Sequence, residues 1–353
     1  MITLDNPLIR LYATLIGWVS FGYLLGRVLP KNTSTYLGKF LFFVGAPFSI
    51  ISFLRRANLD GYIFIAPVTA SIAILVGAAL AWVWIDLGLS DERLRAISRG
   101  VDFVGHLDSS GEDSPKENSI NSIKEKENLE PLQKSNWSRG TQGSFMFAMM
   151  IGNTSFLGFP VILSLIGPEY FPLALFYDLS ALVILNIFGI ALATYYGDTK
   201  KRRGWGGTLK AILQNPGIWA FTFGYFVFRT LPLPEPIDQV VRNGGWVVIT
   251  LFLIMIGIQL SKLRTLKNLK QGLTCLAIKM LLTPLVVGTG LMFFEVTGPL
   301  RLSMVLLMGM PPAFSTTLLA ETYKLDRDLA VTTVFLGCFT LLFTIPIWMW
   351  LFK

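Results

Sequence analysis

Two stretches decide how this chain is read: Met149-Met150-Ile151-Gly152-Asn153-Thr154-Ser155-Phe156-Leu157-Gly158-Phe159-Pro160, and Leu306-Leu307-Met308-Gly309-Met310-Pro311-Pro312-Ala313-Phe314-Ser315-Thr316-Thr317. Each is apolar enough for a membrane span, and each is interrupted midway by glycine, proline and small polar residues. Proline has no N–H for the carbonyl four residues earlier, so Pro160 is expected to free Phe156, and Pro311 and Pro312 to free Leu307 and Met308. Bare backbone survives in hydrocarbon only where it is buried in protein or lines a wet cavity. Two such interruptions at matching positions point to a ligand site near the membrane midplane.

Working outward, the 353 residues are 53% hydrophobic and 15% charged, and the apolar residues come in long runs rather than amphipathic stripes. That composition describes an all-α polytopic membrane protein in a lipid bilayer. Ten spans can be drawn, at residues 8–29, 36–54, 62–86, 143–166, 171–196, 211–231, 242–261, 270–294, 300–322 and 329–352. The first is long enough to cross and has no small-residue cleavage site after it, so it is expected to be a retained span. Residues 87–140 form the one long polar stretch, rich in Ser, Asn, Glu and Lys, with the composition of a disordered loop holding at most a short helix.

The net charge of +8 raises the question of nucleic acid. The cations lie in short connections between spans, where they set topology, and this excludes a nucleic-acid partner. One side carries Arg10, Arg55, Arg56, Arg229, Arg242, Arg301 and Lys353; the other carries fourteen Lys and Arg before the long stretch is counted. The richer side is expected to be cytoplasmic, which places both termini outside a plasma or inner membrane and residues 87–140 inside the cell.

Spacing suggests a duplication. The first and sixth spans start 203 residues apart, at 8 and 211, whereas Pro160 and Pro311 are 151 apart; the difference of 52 is close to the 54 residues of 87–140. Without that stretch the halves, residues 1–196 and 197–353, fall nearly into register. Five spans in each half reverse the polarity of the second, so an inverted repeat is expected, with broken spans four and nine as crossing symmetry partners.

A helix that restarts after a break offers unpaired N–H groups and the positive end of its dipole, which suits a carboxylate or phosphate. After Pro312 these would be the amides of Ala313, Phe314 and Ser315, with the hydroxyls of Ser315, Thr316 and Thr317 beside them. In the partner span, Asn153, Thr154 and Ser155 offer an amide and hydroxyls, while Gly152 and Gly158 allow close backbone approach. A simpler account is that small residues and prolines only help helices pack and kink. Asp178 and Lys279 are charges well inside spans, where each is costly. They admit three readings: a functional pairing with each other, one of them binding a coupling proton or sodium, or a structural ion pair.

Enzyme chemistry finds little support. There is a single histidine, and Cys275 and Cys338 are the only cysteines, both in apolar segments, so no metal site or cofactor is called for. Gly204 to Lys210 lacks the spacing of a phosphate-binding loop.

The stretches Gly152-Asn153-Thr154-Ser155-Phe156-Leu157-Gly158-Phe159-Pro160, Met310-Pro311-Pro312 and Leu319-Ala320-Glu321-Thr322-Tyr323 resemble the fourth- and ninth-span motifs of the auxin efflux carrier family, which includes plant PIN-FORMED and PIN-like proteins and bacterial organic-acid carriers. Asn215-Pro216, Gly257 with Leu260, and Lys279 with Pro284 extend the likeness over nearly the whole chain outside 87–140. The resemblance implies a five-plus-five inverted repeat with scaffold spans 1, 2, 6 and 7 and mobile spans 3–5 and 8–10. It also implies a homodimer and elevator-type transport of small organic anions, auxin-like aromatic or dicarboxylic acids. Asn153, Thr154, Ser155, Gly158, Pro160, Pro311, Pro312, Ser315 and Thr316 would then form the substrate site, with Asp178 and Lys279 in the mobile part. The segment after Pro312 lacks the asparagine of some relatives, and the long polar stretch is shorter than in long plant carriers. Two alternatives stand beside this reading: a sodium-coupled symporter of the bile-acid-carrier type, and a receptor or sensor using the same pocket without transport.

Overall fold

The computed structural model describes residues 7–30, 32–55, 57, 62–108, 137–197, 205–263 and 266–353. These residues are almost entirely helical, and among them no strand forms beyond one isolated bridge. Seven helices are long and apolar enough to cross a membrane: α1 (Pro7–Val28), α2 (Thr33–Leu54), α3 (its Ile65–Leu87 part), α6 (Pro168–Ala193), α9 (Glu235–Leu260), α10 (Leu269–Phe294) and α13 (Arg327–Phe352). Between them stand the shorter helices α4 (Arg139–Met150), α5 (Thr154–Leu165), α7 (Trp205–Leu213), α8 (Pro216–Phe228), α11 (Gly298–Met308) and α12 (Ser315–Thr322).

Two boundaries differ from the sequence reading. The third helix does not stop at 86 but runs as α3 from Ile65 to Asp108. No proline falls between Gly88 and Gly100, and Asp, Glu, Arg and Leu there are compatible with a continued helix. The polar composition that suggests a loop becomes dominant only after Asp108, and residues 109–136 lie outside the described residues. The sixth span begins at Pro216, not 211: Asn215 ends the preceding segment and its Oδ1 accepts from Gly217 N at 2.8 Å, capping α8.

Close approach of α1 and α9 rests on two glycines. A Cβ at Gly22 would strike the Ile254 carbonyl, and one at Gly257 would strike the Val19 carbonyl, so each helix offers its bare backbone to the other. Helix α2 packs against α8 and α9, α3 against α6, and α10 against α13. The core holds Phe145, Phe147, Phe159, Phe171 and Phe252, each fully buried, while Phe21, Phe64, Trp82, Phe226, Phe293 and Trp350 are exposed on the outer faces of the helices, as expected of side chains that meet lipid.

Polar staples tie helix ends together. Arg55, after α2, donates to Asp238 of α9 at 2.7 Å and to the carbonyls of Phe228 and Leu231 at 2.7 and 2.8 Å. At the other face, Asp326 accepts from Thr141 of α4 at 2.9 Å, from Asn268 before α10 at 2.7 Å and from the Leu329 amide of α13 at 2.9 Å. The Ser144 hydroxyl adds a bond to the Asp326 carbonyl at 2.7 Å. Three carboxylate bonds at about 1 kcal/mol each make Asp326→Ala a destabilising change. The expected result is a loss of about 2–4 kcal/mol, read as a lowered thermal midpoint in detergent, and an unchanged midpoint would show that the staple is redundant.

Proline also leaves its mark at carbonyls that other helices satisfy. Pro284 denies the Met280 carbonyl its helical donor, and the Trp348 indole supplies one at 3.2 Å. Pro346 does the same to Leu342, whose carbonyl accepts from the Tyr12 hydroxyl.

Candidate functional site

The first interruption opens between α4 and α5. Helix α4 ends at Met150, Ile151 is extended (φ −103°, ψ 103°), and the chain turns back to helix after Asn153. The second opens between α11 and α12, where the helix ends at Met308 and restarts at Ser315. The two bare segments cross and pair. Gly152 and Pro312 form an antiparallel bridge in which Asn153 N donates to Pro311 O at 2.8 Å and Ala313 N donates to Ile151 O at 3.1 Å. Each break thus satisfies part of the other's exposed backbone, which hydrocarbon could not do.

This crossing revises three expectations. Ala313 has no free amide, because the bridge uses it; Phe314 and Ser315 have no backbone acceptor. Pro160 is not where the fourth span breaks. It lies in the first turn of the α-helical part of α5, after a widened turn in which Gly158 N reaches back five residues to Asn153 O at 3.2 Å. That turn accommodates the missing donor, and Gly152 and Asn153 carry the break instead. Lys279 and Asp178 do not pair: among the described residues, each is bound to a different half of the fourth span.

Asp178 of α6 accepts from the Thr154 hydroxyl and from the Ser155 hydroxyl at 2.8 Å, at the point where α5 begins. Its carboxylate therefore faces the positive end of that half-helix. Lys279 of α10 is buried and donates to the Met149 carbonyl at 2.9 Å, in the last turn of α4. Its ammonium faces the negative end of the other half-helix. Sequence spacing places both charges inside spans; only the crossing assigns each to one end of a break.

Around the crossing lies a cavity of about 840 Å³. Of the residues expected at the site, Asn153, Thr154, Ser155, Ser315, Asp178 and Lys279 line it. Gly158, Pro160, Pro311, Pro312 and Thr316 stand behind the lining, all buried; Gly158 packs toward Leu307 and Met310, and Thr316 donates to Ala313 O at 2.8 Å. Three buried polar atoms in the lining have no protein partner: Asn153 Nδ2, Gln259 Oε1 and Thr283 Oγ1. An unpaired amide donor, an unpaired amide acceptor, an unpaired hydroxyl and a buried ammonium thus belong to residues around one largely apolar chamber, the composition of a small-molecule site. Lys262, Ser34 and Arg327 line the same cavity toward one face; Lys262 donates to Ser34 at 2.6 Å, and partial burial lowers its pKa from the ordinary lysine value. No sequence signal marked Ser34 or Lys262 as lining, since neither lies in a break and Lys262 looks like any topology-setting cation.

Residues 205–349 match the family model described as membrane transport protein, so the second half of the chain carries the signature of that class and the resemblance read from the broken spans is borne out. An uncharacterized transporter of Methanothermobacter thermautotrophicus is 25% identical over 337 residues, 94% of this chain and 93% of the relative. An uncharacterized transporter of Methanocaldococcus jannaschii is 24% identical over 213 residues, 59% of this chain and 68% of the relative. The chain is thus an integral, multi-pass membrane protein whose second half matches a membrane transport family model and which is similar along nearly its whole length to an archaeal transporter.

Proposed function

We propose that the chain is a secondary transporter of small organic anions, aromatic or dicarboxylic acids of the auxin type, that works by elevator-like alternating access. The observation that carries this reading is the pair of crossing breaks, hydrogen-bonded to each other in the wall of a cavity that Asn153 also lines, its buried Nδ2 without a partner.

Helix packing supports the ten-span inverted repeat. Exchanging the halves maps α1 onto α8, α2 onto α9, α3 onto α10, α4 and α5 onto α11 and α12, and α6 onto α13. Under that exchange the contact of α1 with α9 becomes that of α8 with α2, α3 with α6 becomes α10 with α13, and α4 with α13 becomes α11 with α6; all six contacts are present. The staples respect the scaffold and mobile groups as well. Arg55 joins α2, the end of α8 and α9, whereas Asp326 joins α4, α10 and α13. Between the groups lie ring contacts, Phe156 on Phe252 and Phe53 on Phe171, and one hydrogen bond, from the Tyr12 hydroxyl of α1 to the Leu342 carbonyl of α13, which sliding would have to break.

The cavity reaches the face of Ser34, Lys262 and Arg327, the side richer in Lys and Arg, and none of Arg55, Arg229, Arg242 or Arg301 lines it. With the cation-rich side cytoplasmic, this is the inward-facing state. Both termini then face outside, and a second copy completes the dimer through the scaffold group. Sodium coupling is the weaker reading, because the Met149 carbonyl at the break is already taken by the Lys279 ammonium.

Uptake of labelled monocarboxylic and dicarboxylic acids into proteoliposomes tests the assignment. Asn153→Ala is expected to raise the half-saturating concentration of the true substrate about tenfold, the effect of one hydrogen bond to a charged group. Unchanged affinity and rate would remove the crossing as the binding site. Acid bound but never carried across would make the protein a receptor.

A further inference from the structure

Both polar staples stay inside one group of helices, Arg55 in α2, α8 and α9, and Asp326 in α4, α10 and α13. The bond from the Tyr12 hydroxyl to the Leu342 carbonyl crosses between the groups, from α1 to α13. Its acceptor is available because Pro346 has no N–H to offer that carbonyl within the helix. Arg10 and Lys353 place the contact in the cation-poor half of the molecule, and neither Tyr12 nor Leu342 lines the cavity, which reaches the opposite face. The repeat supplies its own comparison. Asn6-Pro7-Leu8-Ile9 at the start of α1 aligns with Asn215-Pro216-Gly217-Ile218 at the start of α8, which sets Phe221 against Tyr12, each the sixth residue of its helix. Phe221 meets Phe176 of α6, the partner of α13 in the repeat, with ring centroids 4.9 Å apart, and no proline follows Pro172 in α6 to free a carbonyl. One end of the repeat thus has an apolar contact where its twin has a hydrogen bond.

We infer that Tyr12 is an outer latch: its bond to Leu342 holds the scaffold and mobile groups together on the cation-poor side and biases the resting protein toward the state with the cavity open to the cation-rich side. Separating the groups would leave a hydroxyl and a carbonyl without partners in an apolar setting, a cost that the Phe221 contact does not impose. The inference rests on the carrier reading above for the two groups and for its consequence, that substrate arriving from outside finds its site open in a smaller fraction of molecules. The test uses no substrate.

In purified protein carrying Cys338→Ala and Leu15→Cys, the rate of alkylation by a polar maleimide is read in detergent by mass spectrometry. Leu15 lies three residues along α1 from Tyr12 and is 4% exposed, so the introduced thiol reacts when the groups part. Native Cys275, fully buried between helices of the mobile group, reports unfolding instead. Adding Tyr12→Phe is expected to raise the rate at position 15 about fivefold, the effect of one neutral hydrogen bond, and to leave the Cys275 rate unchanged. Tyr23→Phe is the control: it removes a hydroxyl from the same helix whose bond, from Arg27 at 2.6 Å, stays within α1, and it should change neither rate. An unchanged rate at position 15 in Tyr12→Phe overturns the inference. A rise matched at Cys275 also overturns it, because the protein is then destabilised rather than opened. Faster alkylation in Tyr12→Phe alongside an uptake panel in which no acid crosses would sink the carrier reading and leave the latch standing, and uptake with an unchanged rate would do the reverse.

Discussion

Asp178→Ala is expected to reduce uptake about 100-fold or more, the largest functional effect of any single change in this protein. The carboxylate accepts from both Thr154 and Ser155, the first two residues of the restarted helix, and so fixes the orientation of Asn153 beside them. Two hydrogen bonds to a charged acceptor contribute about 1.5–3 kcal/mol each, and 100-fold corresponds to only about 2.7 kcal/mol. Removing the carboxylate also strips the α5 N-terminus of the negative charge its dipole favours. Asp178→Asn separates charge from shape: it keeps an oxygen for one hydroxyl. If Asp178 carries the coupling proton, uptake by Asp178→Asn loses the pH dependence of the wild type. A rate indifferent to pH and to Asp178→Asn alike rules that role out, and wild-type uptake by Asp178→Ala removes the residue from the site altogether.

The largest effect on stability is expected from Gly257→Leu. At this position α9 meets α1 backbone to backbone, and any Cβ collides with the Val19 carbonyl and approaches Tyr23 N at 2.6 Å. Backbone cannot yield as a flexible side chain does. The helices must separate, which also undoes the reciprocal contact at Gly22 with Ile254. Overpacking in a close-packed interior costs about 1–3 kcal/mol even where side chains can adjust, and here they cannot. Loss of the monodisperse species in detergent size-exclusion chromatography is the expected result. Gly290→Ala, at a site with nothing within 4 Å of an added Cβ, serves as the control and should behave as wild type. A folded Gly257→Leu of normal midpoint would mean that α1 and α9 do not meet as described.

Part of this fold is legible in the amino-acid sequence. The seven long apolar helices and the three shorter apolar ones, Thr154–Leu165, Pro216–Phe228 and Gly298–Met308, fall on the ten drawn spans, because hydropathy over about twenty residues is a local property. Both interruptions were visible as well, since glycine and proline act on the backbone wherever they stand. A proline inside an apolar run reads as the break, yet the widened turn over Thr154–Gly158 absorbs it, and the chain parts at Gly152 and Asn153. Whether a helix bends around a proline or opens before it depends on what crosses it.

By itself, then, the sequence determined that the chain lives in a membrane, where its helices run and which two of them are interrupted. Those facts follow from transfer energy and from missing N–H groups, both written residue by residue. The tertiary structure alone decided who satisfies the exposed groups. It gave the amide of Ala313 to Ile151, the hydroxyls of Thr154 and Ser155 to Asp178 and the carbonyl of Met149 to Lys279, while leaving Asn153, Gln259 and Thr283, all at the cavity, each with an unpaired buried atom. A hydrogen bond joins residues more than a hundred positions apart only when two segments cross at one register, and no local pattern in the chain encodes that crossing.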